Sequence, residues 1–458
     1  MHVPQTTRHL QTNWLLSRSR NLLMHRRWNP DGRRFPYSAP ANRLYSCAGS
    51  LFARFVRSAA RAATVTTLVG PFASSTAASQ RASDQSWSVL QTVELPVGMS
   101  FLRWSSLASH SDTLVLVGSM PARSGAPRLD SDAALIWRIP GAPIAIPKRP
   151  RAVYYKLLYD RQHTLHLFWA EYDAGDNAVL FASTPRTSLW HTTHSLSGWS
   201  TPTAIVRGSS ISWGADGGNL IEDSNGRIHL LVSMLDSSGY RTADLILEEG
   251  QWRRRNVDGV STSLAVAMSS RKNVVALLSS RRQADQSGSI LPFVLRDKDW
   301  VAVSRPLAVE REREIRNVAL IRSTETLWAF WSAVQVSDGK TTFFWASGDT
   351  TDTTWHIRDS LEVDGIPRRI SSSADGCGGT VSLAEMVGGR RDRAVELVEL
   401  AMSAKPIFGA HRITPPSEAG LESSITIHKG RITSIYNILD SLNRISRIAV
   451  ATRGTCGK

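Results

Sequence analysis

The stretch DSNGRIHLLVS, Asp223 to Ser233, joins a tight turn to a run of mainly apolar residues that closes on a small polar one. The run recurs. The copies are Thr113 to Gly118 (TLVLVG), Thr164 to Ala170 (TLHLFWA), Arg227 to Ser233 (RIHLLVS), Asn273 to Ser279 (NVVALLS), Thr326 to Ser332 (TLWAFWS), Thr380 to Met386 (TVSLAEM) and Arg431 to Asn437 (RITSIYN). Their starts lie 51, 63, 46, 53, 54 and 51 residues apart. A period near 50 with no helical periodicity between copies predicts an all-β, seven-bladed β-propeller of four-stranded antiparallel blades, six blades being the alternative count. Each unit is too small to bury its own face, so the units must pack on one another.

The phrase is read as the second strand of each blade. Third strands are then expected at Ala133 to Ile139, Asn177 to Ser183, Thr242 to Glu248, Ser289 to Leu295, Thr342 to Ser347, Ala394 to Leu400 and Arg444 to Val450. Fourth strands open on Trp199, Trp252, Trp300 and Trp355. A large aromatic at one fixed blade position predicts packing between neighbouring blades rather than a ligand cage. Only eight residues follow Val450, so the missing last strand is expected from the other terminus, Trp87 to Leu95 (WSVLQTVEL), which closes the ring and removes its open edges.

Charge divides the chain in two. Residues 1–82 hold 12 Arg, no Lys and the single acid Asp31, a net +11; the whole chain carries 54 basic and 39 acidic residues, so residues 83–458 carry 42 against 38, or +4. That balance gives no electrostatic footprint for nucleic acid. Residues 1–82 are read as an Arg-rich leader, targeting or disordered, and residues 83–458 as the propeller domain. Within the leader, Arg54, Arg57 and Arg61 precede the apolar run Ala62 to Ala73 and the small residues Ser74 to Ser79, the order of a secretory signal, although Pro71 interrupts the run. A secreted or periplasmic protein is expected, organelle targeting being the alternative. No apolar run reaches the ~20 residues of a membrane span.

Cys377, in the turn before the sixth copy, and Cys456, just past the last strand, fall on the same face of a propeller; a disulfide between them and two unpaired thiols both fit the sequence. The pairs His163/His166 and His191/His194 have i, i+3 spacing, which on a strand sends the two rings to opposite faces and gives no metal site; no cofactor is expected.

The turn and strand Asp223 to His229 (DSNGRIH) and the string Trp199 to Pro202 (WSTP) resemble the blades of the sialidase-like propeller superfamily, the BNR or Asp-box type. The resemblance spans most of residues 86–455 and rests on architecture and packing residues. It implies a glycan-directed axial site: three arginines gripping a carboxylate, an Asp acid/base, and a Tyr with a Glu partner as nucleophile. The chain departs from that pattern. Arg138-Ile139-Pro140 matches the R-I-P string but falls in a third strand, not an inner first one. Ser347 to Trp355 (SGDTTDTTW) occupies the place of an Asp box with the wrong Asp and Gly spacing, and Ser195 to Trp199 (SLSGW) is looser still.

Ligands of propellers sit at the axial end lined by the connections between blades and by second-to-third-strand loops. That face gathers Tyr172 and Asp173, Trp213 and Asp216, Asp236 and Tyr240, and opposite them Arg281, Arg316, Arg368 and Arg369. Guanidinium groups suit a bidentate grip on carboxylate, phosphate or sulfate. Interleaved acids such as Glu310, Glu312 and Glu314 equally fit a solvated, salt-bridged rim. Two functions follow. One is a secreted, monomeric, non-catalytic propeller recognising a glycan or an extracellular protein through Arg368, Arg369, Arg281, Arg316 and Trp213. The other is a divergent sialidase-type exo-glycosidase with Asp173, Asp216 or Asp236 as acid/base and Tyr172 or Tyr240 as nucleophile.

Overall fold

The computed structural model describes residues 87–94, 103–120, 133–139, 143–145, 152–172, 187–212, 218–236, 239–258, 263–269, 271–281, 288–303, 306–310, 313–335, 340–348, 354–387, 395–402, 410–414, 419–439 and 445–455. All of them belong to one compact unit, Thr76–Val179 with Ser183–Lys458.

Seven antiparallel blades stand in a ring. Blade one runs from its inner strand outward as Arg103–His110, Thr113–Met120, Ala133–Ile139 and Pro143–Ala145. Blades two and three share one strand, Thr203–Ser212: its start pairs with Thr187–Ser195 of blade two, and its end pairs with Ile228–Asp236 of blade three. Blade two is otherwise Ala152–Tyr159, Leu165–Tyr172 and Thr187–Ser195 with the short Gly198–Trp199; blade three is Leu220–Glu222, Ile228–Asp236, Gly239–Glu248 and Gln251–Val257. Blade four is Ser263–Met268, Val274–Arg281, Gly288–Arg296 and Asp299–Ala302, with Ala308–Glu310 also on its third strand. Blade five is Arg313–Ser323, Thr326–Gln335, Lys340–Gly348 and Trp355–Asp364; blade six is Ile366–Ala374, Thr380–Val387, Val395–Met402 and Ala410–Arg412. Blade seven is Ala419–His428, Arg431–Leu439 and Ile445–Gly454, completed by Ser88–Glu94, which pairs antiparallel with Ile445–Gly454, with one bulge between Val89 and Gln91, as the closing-strand reading requires.

The repeated phrase is thus the second strand throughout. One third strand differs from expectation. In blade two, Leu165–Tyr172 pairs residue for residue with Thr187–Ser195; Asn177 to Ser183 lies outside the described residues. An apolar run marked the nearer segment, but the strand that pairs is the one that places Leu189 and His191 against the apolar face of Leu165–Tyr172.

Burial follows the ring. Seven apolar clusters each lie between consecutive blades: Val117 with Leu167 (one and two), Phe168 with Leu230 (two and three), Leu231 with Leu264 (three and four), Leu277 with Trp331 (four and five), Phe330 with Ala384 (five and six), Leu383 with Ile432 (six and seven), and Leu116 with Ile435 (seven and one). The fourth-strand tryptophans reach into the interface with the preceding blade: Trp199 in the first cluster, Trp252 in the second, Trp300 in the third and Trp355 in the fourth. Trp87 does the same between blades six and seven. A Cβ on Gly348 would sit 2.9 Å from the Trp355 ring, so the third strand must be bare there.

In blades two, three, four and six the turns between first and second strands repeat one geometry. Asp160, Asp223, Ser269 and Asp375 each accept from the backbone N–H four residues on with a side-chain oxygen, at 2.7, 2.9, 3.2 and 2.9 Å. The residue three beyond has positive φ in each case: His163, Gly226, Lys272 and Gly378.

Candidate functional site

The inner strands are irregular at one level of the ring. In blade one the pairing jumps between Arg103 and Ser106, in blade two between Val153 and Lys156, in blade five between Ile315 and Val318, in blade six between Pro367 and Arg369, and in blade seven between Leu421 and Ser424. The residues facing these jumps are the last or next-to-last of the repeated phrase: Gly118, Trp169, Ser332, Glu385 and Tyr436. Blade three is interrupted at the same level, between Ser212 opposite Ser233 and Leu220 opposite Leu230. Bulges re-aim side chains and occur beside functional sites. They place Tyr154, Arg316 and Arg368 at this collar. Tyr154 has φ 56°, a backbone conformation costly for a bulky residue.

Hydroxyl groups stitch the collar between blades. Ser106 Oγ accepts from Leu157 N–H at 3.0 Å, Ser105 and Ser424 hydroxyls meet at 3.2 Å, Ser371 and Ser423 at 3.3 Å, and Val318 N–H donates to Ser263 Oγ at 3.2 Å.

The two sequence-adjacent arginines part company here. Arg369 is 8% exposed, stands opposite the fully buried Glu385, and donates from Nη2 to the carbonyl of Ser105 in blade one at 2.7 Å. It therefore ties blades together rather than presenting its guanidinium to a ligand. Arg368, one residue back in the bulge, is exposed. Arg316 is half-buried, its Nη2 3.2 Å from Glu314 Oε2. Arg313 lies 4.0 Å from Glu310, whose carboxyl burial pushes above the usual range against the opposing pull of Arg313. The salt-bridged rim and the arginine sector thus coexist.

Tyr172 ends the second strand of blade two half-buried against the cluster between blades two and three. Asp236, Tyr240 and Arg281 fall at strand ends, in pairs Asp236 with Gly239, Leu235 with Tyr240, and Arg281 with Gly288. Asp173, Trp213 and Asp216 lie outside the described residues. Arg138 is on a third strand, as its position in the sequence required, and engages Tyr159 of blade two, whose hydroxyl is held above its ordinary pKa by burial despite that contact. Cys377 is disulfide-bonded, and a Cβ on the preceding Gly376 would stand 3.1 Å from Thr455; Cys456 lies outside the described residues.

Sequence reasoning missed the buried polar relays. In blade three, Asp223 takes Arg227 at 2.6 Å and lies 3.3 Å from His229 Nε2; His229 Nδ1 is 3.0 Å from Asp244, and Trp300 of blade four donates to Asp244 at 3.0 Å. With a carboxylate at each ring nitrogen, His229 must carry both protons. Burial works against that charge, but the two carboxylates outweigh it and raise its pKa to about 8. Asp223 is likewise held low by His229 and Arg227 in spite of burial. In blade two, His166 Nε2 is 3.1 Å from Asp160, and His166 Nδ1 meets His191 Nε2 at 2.9 Å. Here one imidazole faces another, and burial followed by the His166 charge lowers His191 to about 3. The Trp252 ring covers His191 edge-on at 5.3 Å. Between blades six and seven, Trp87 donates to Glu399 at 2.6 Å, and Arg453 holds the other carboxylate oxygen. The same plan recurs: a turn acid, a buried charged or ring group, then the tryptophan of the next blade. His229 and Asp244 are fully buried, which seals them from substrate. The i, i+3 spacing of His163/His166 and His191/His194 concerns neighbours along one strand, whereas His166 meets His191 across strands. Among the described residues no group of three His, Cys, Asp or Glu is placed to hold a metal ion.

No family profile and no curated protein matches the chain. Solved structures do. Trypanosoma rangeli sialidase in complex with the inhibitor DANA aligns over 77% of this chain and 55% of its own, at 11% identity and TM-score 0.42. The polysaccharide lyase Uly1 aligns over 76% and 89%, at 8% identity and TM-score 0.46, and AofleA from Arthrobotrys oligospora over 72% and 90%, at 10% identity and TM-score 0.41. The likeness is one of fold. The chain spans about half the length of the sialidase it matches. No described helix is long and apolar enough to cross a membrane.

Proposed function

We propose that the protein is an exported, non-catalytic propeller that recognises an acidic glycan at the collar end of its axis. The observation that carries this reading is the placement of Arg316 and Arg368 in bulges at one level of the neighbouring inner strands of blades five and six. Two guanidinium groups so placed suit the bidentate grip of a sugar carboxylate, and Tyr154 in the collar adds a ring and a hydroxyl for the sugar body. Binding rather than hydrolysis is favoured because Arg369, the third arginine a carboxylate grip would recruit, is buried in the wall opposite Glu385 with its Nη2 on the Ser105 carbonyl. The disulfide at Cys377 favours an oxidising destination, in keeping with the signal-like order of the leader.

The test is a glycan array probed with the full chain and with an Arg316→Ala, Arg368→Ala double variant. The reading predicts retention of carboxylated or sulfated glycans by the parent protein and at least a tenfold weaker signal from the variant at an unchanged thermal midpoint. Equal retention by the two proteins, or retention of neutral glycans alone, would refute it.

A further inference from the structure

The inner strands run from the collar to the turns that join them to the second strands. About five residues separate Arg316 from Ile321, so the two ends of the axis lie roughly 17 Å apart at ~3.4 Å per residue. At the turn end, blades three to seven converge on a cavity of ≈ 470 Å³, lined among others by Ile221, Met268, Ile321, Arg322, Ser373 and Ile427. The geometry points to a second binding site at this mouth, for a small molecule with an apolar body and an anionic head group.

The volume falls within the ~300–1,000 Å³ of small-molecule sites. Burial changes abruptly along the strands that line it. Val266, Ala267 and Leu320 are sealed, whereas Ile221, Met268, Ile321 and Ile427, nearer the turns, are only half-covered. Four large apolar side chains from four different blades therefore keep part of their surface at one opening, Ile221 and Ile321 packing their remainder against the clusters between blades three and four and between five and six. The head-group preference comes from Arg322. Its Nε donates to the Thr324 carbonyl at 3.0 Å and its Nη1 to the Ser269 carbonyl at 3.3 Å. Both acceptors are neutral, so these bonds fix the guanidinium at an exposed rim without cancelling its charge. Two acids flanking the lining strands are engaged elsewhere: Asp375 Oδ1 accepts from Cys377 and Gly379 N–H, and Glu222 Oε2 accepts from Arg161 N–H at 2.9 Å. Glu325 sits in the adjoining turn, exposed to solvent.

Fluorescence titration of the full chain with 8-anilinonaphthalene-1-sulfonate, and with the neutral N-phenyl-1-naphthylamine, tests the site. Saturable binding of one sulfonate probe per chain is expected. Arg322→Gln should weaken the sulfonate at least fivefold and the neutral probe less than twofold, and Ser373→Phe, which fills the opening, should abolish both. Arg254→Gln, at an exposed arginine on the outer strand of blade three, should change neither. Absence of saturable binding, or equal loss of both probes in Arg322→Gln, overturns the proposal. Arg322→Gln removes no buried group, so it serves as the test even where Ser373→Phe lowers the thermal midpoint; undiminished binding in both variants also overturns the site.

Discussion

Arg368 and Arg369 are indistinguishable as letters, and their fates are set by a single inserted residue. Because the pairing shifts between Pro367 and Arg369, Arg369 stands opposite Glu385 in the buried wall while Arg368 occupies the bulge. A strand's period-2 alternation predicts that adjacent residues part. It does not say which one is buried, and no local signal marks the bulge. Arg369→Ala should cost about 3 kcal/mol, since it leaves Glu385 buried opposite an alanine, whereas Arg368→Ala should leave chemical denaturation unchanged. The buried histidines make a second residue-scale prediction, with opposite signs. His191, lowered to about 3, stays neutral in the folded chain while the unfolded chain takes up a proton below about 6.5, so its contribution is whole above that pH and is lost as pH falls toward 3. His229, raised to about 8, contributes fully below about 6.5, and that contribution is lost as pH rises through 8. Thermal midpoints against pH should therefore crest near 6.5, with the acid limb flattened in His191→Phe and the alkaline limb flattened in His229→Gln. An alkaline limb unchanged in the latter would count against the doubly protonated ring.

At the scale of the strand, the sequence was most legible where packing demands one residue type at one place. Five tryptophans, including Trp87, 312 residues from its partner Glu399, occupy the interface with the preceding blade as their position in the repeat implied. Trp87→Ala should destabilise by about 3 kcal/mol through lost packing and the uncovered Glu399–Arg453 pair, a shift readable by urea unfolding. Blade two was read less well. Its third strand begins at Thr187 rather than Asn177, because apolar content alone does not determine register; pairing with Leu165–Tyr172 does. The Cys377 disulfide belongs to this scale too. Non-reducing peptide mapping should return a Cys377–Cys456 link joining the turn of blade six to the end of blade seven, where Gly376 already meets Thr455. A link to Cys47 would contradict it.

For the whole molecule, closure of the ring is the stabilising event, since each blade buries its apolar faces only against its neighbours. Deleting residues 86–96 removes the outer strand of blade seven together with Trp87 and should abolish the cooperative thermal transition; deleting residues 1–82 should leave it in place. The period of the repeat was enough to give the fold, but the site demanded more than a period. The collar arises from bulges that only the paired strands disclose, and the relays arise from contacts between blades, so neither leaves a motif. The most direct measurement is to incubate the full chain with a chromogenic sialoside and follow, in the same samples, ligand retention and release of the chromophore. The account predicts retention that falls in Arg368→Ala and no release above the buffer rate. Release that is saturable, and lost in Arg368→Ala or in Glu310→Gln, would contradict it and make the collar an active site.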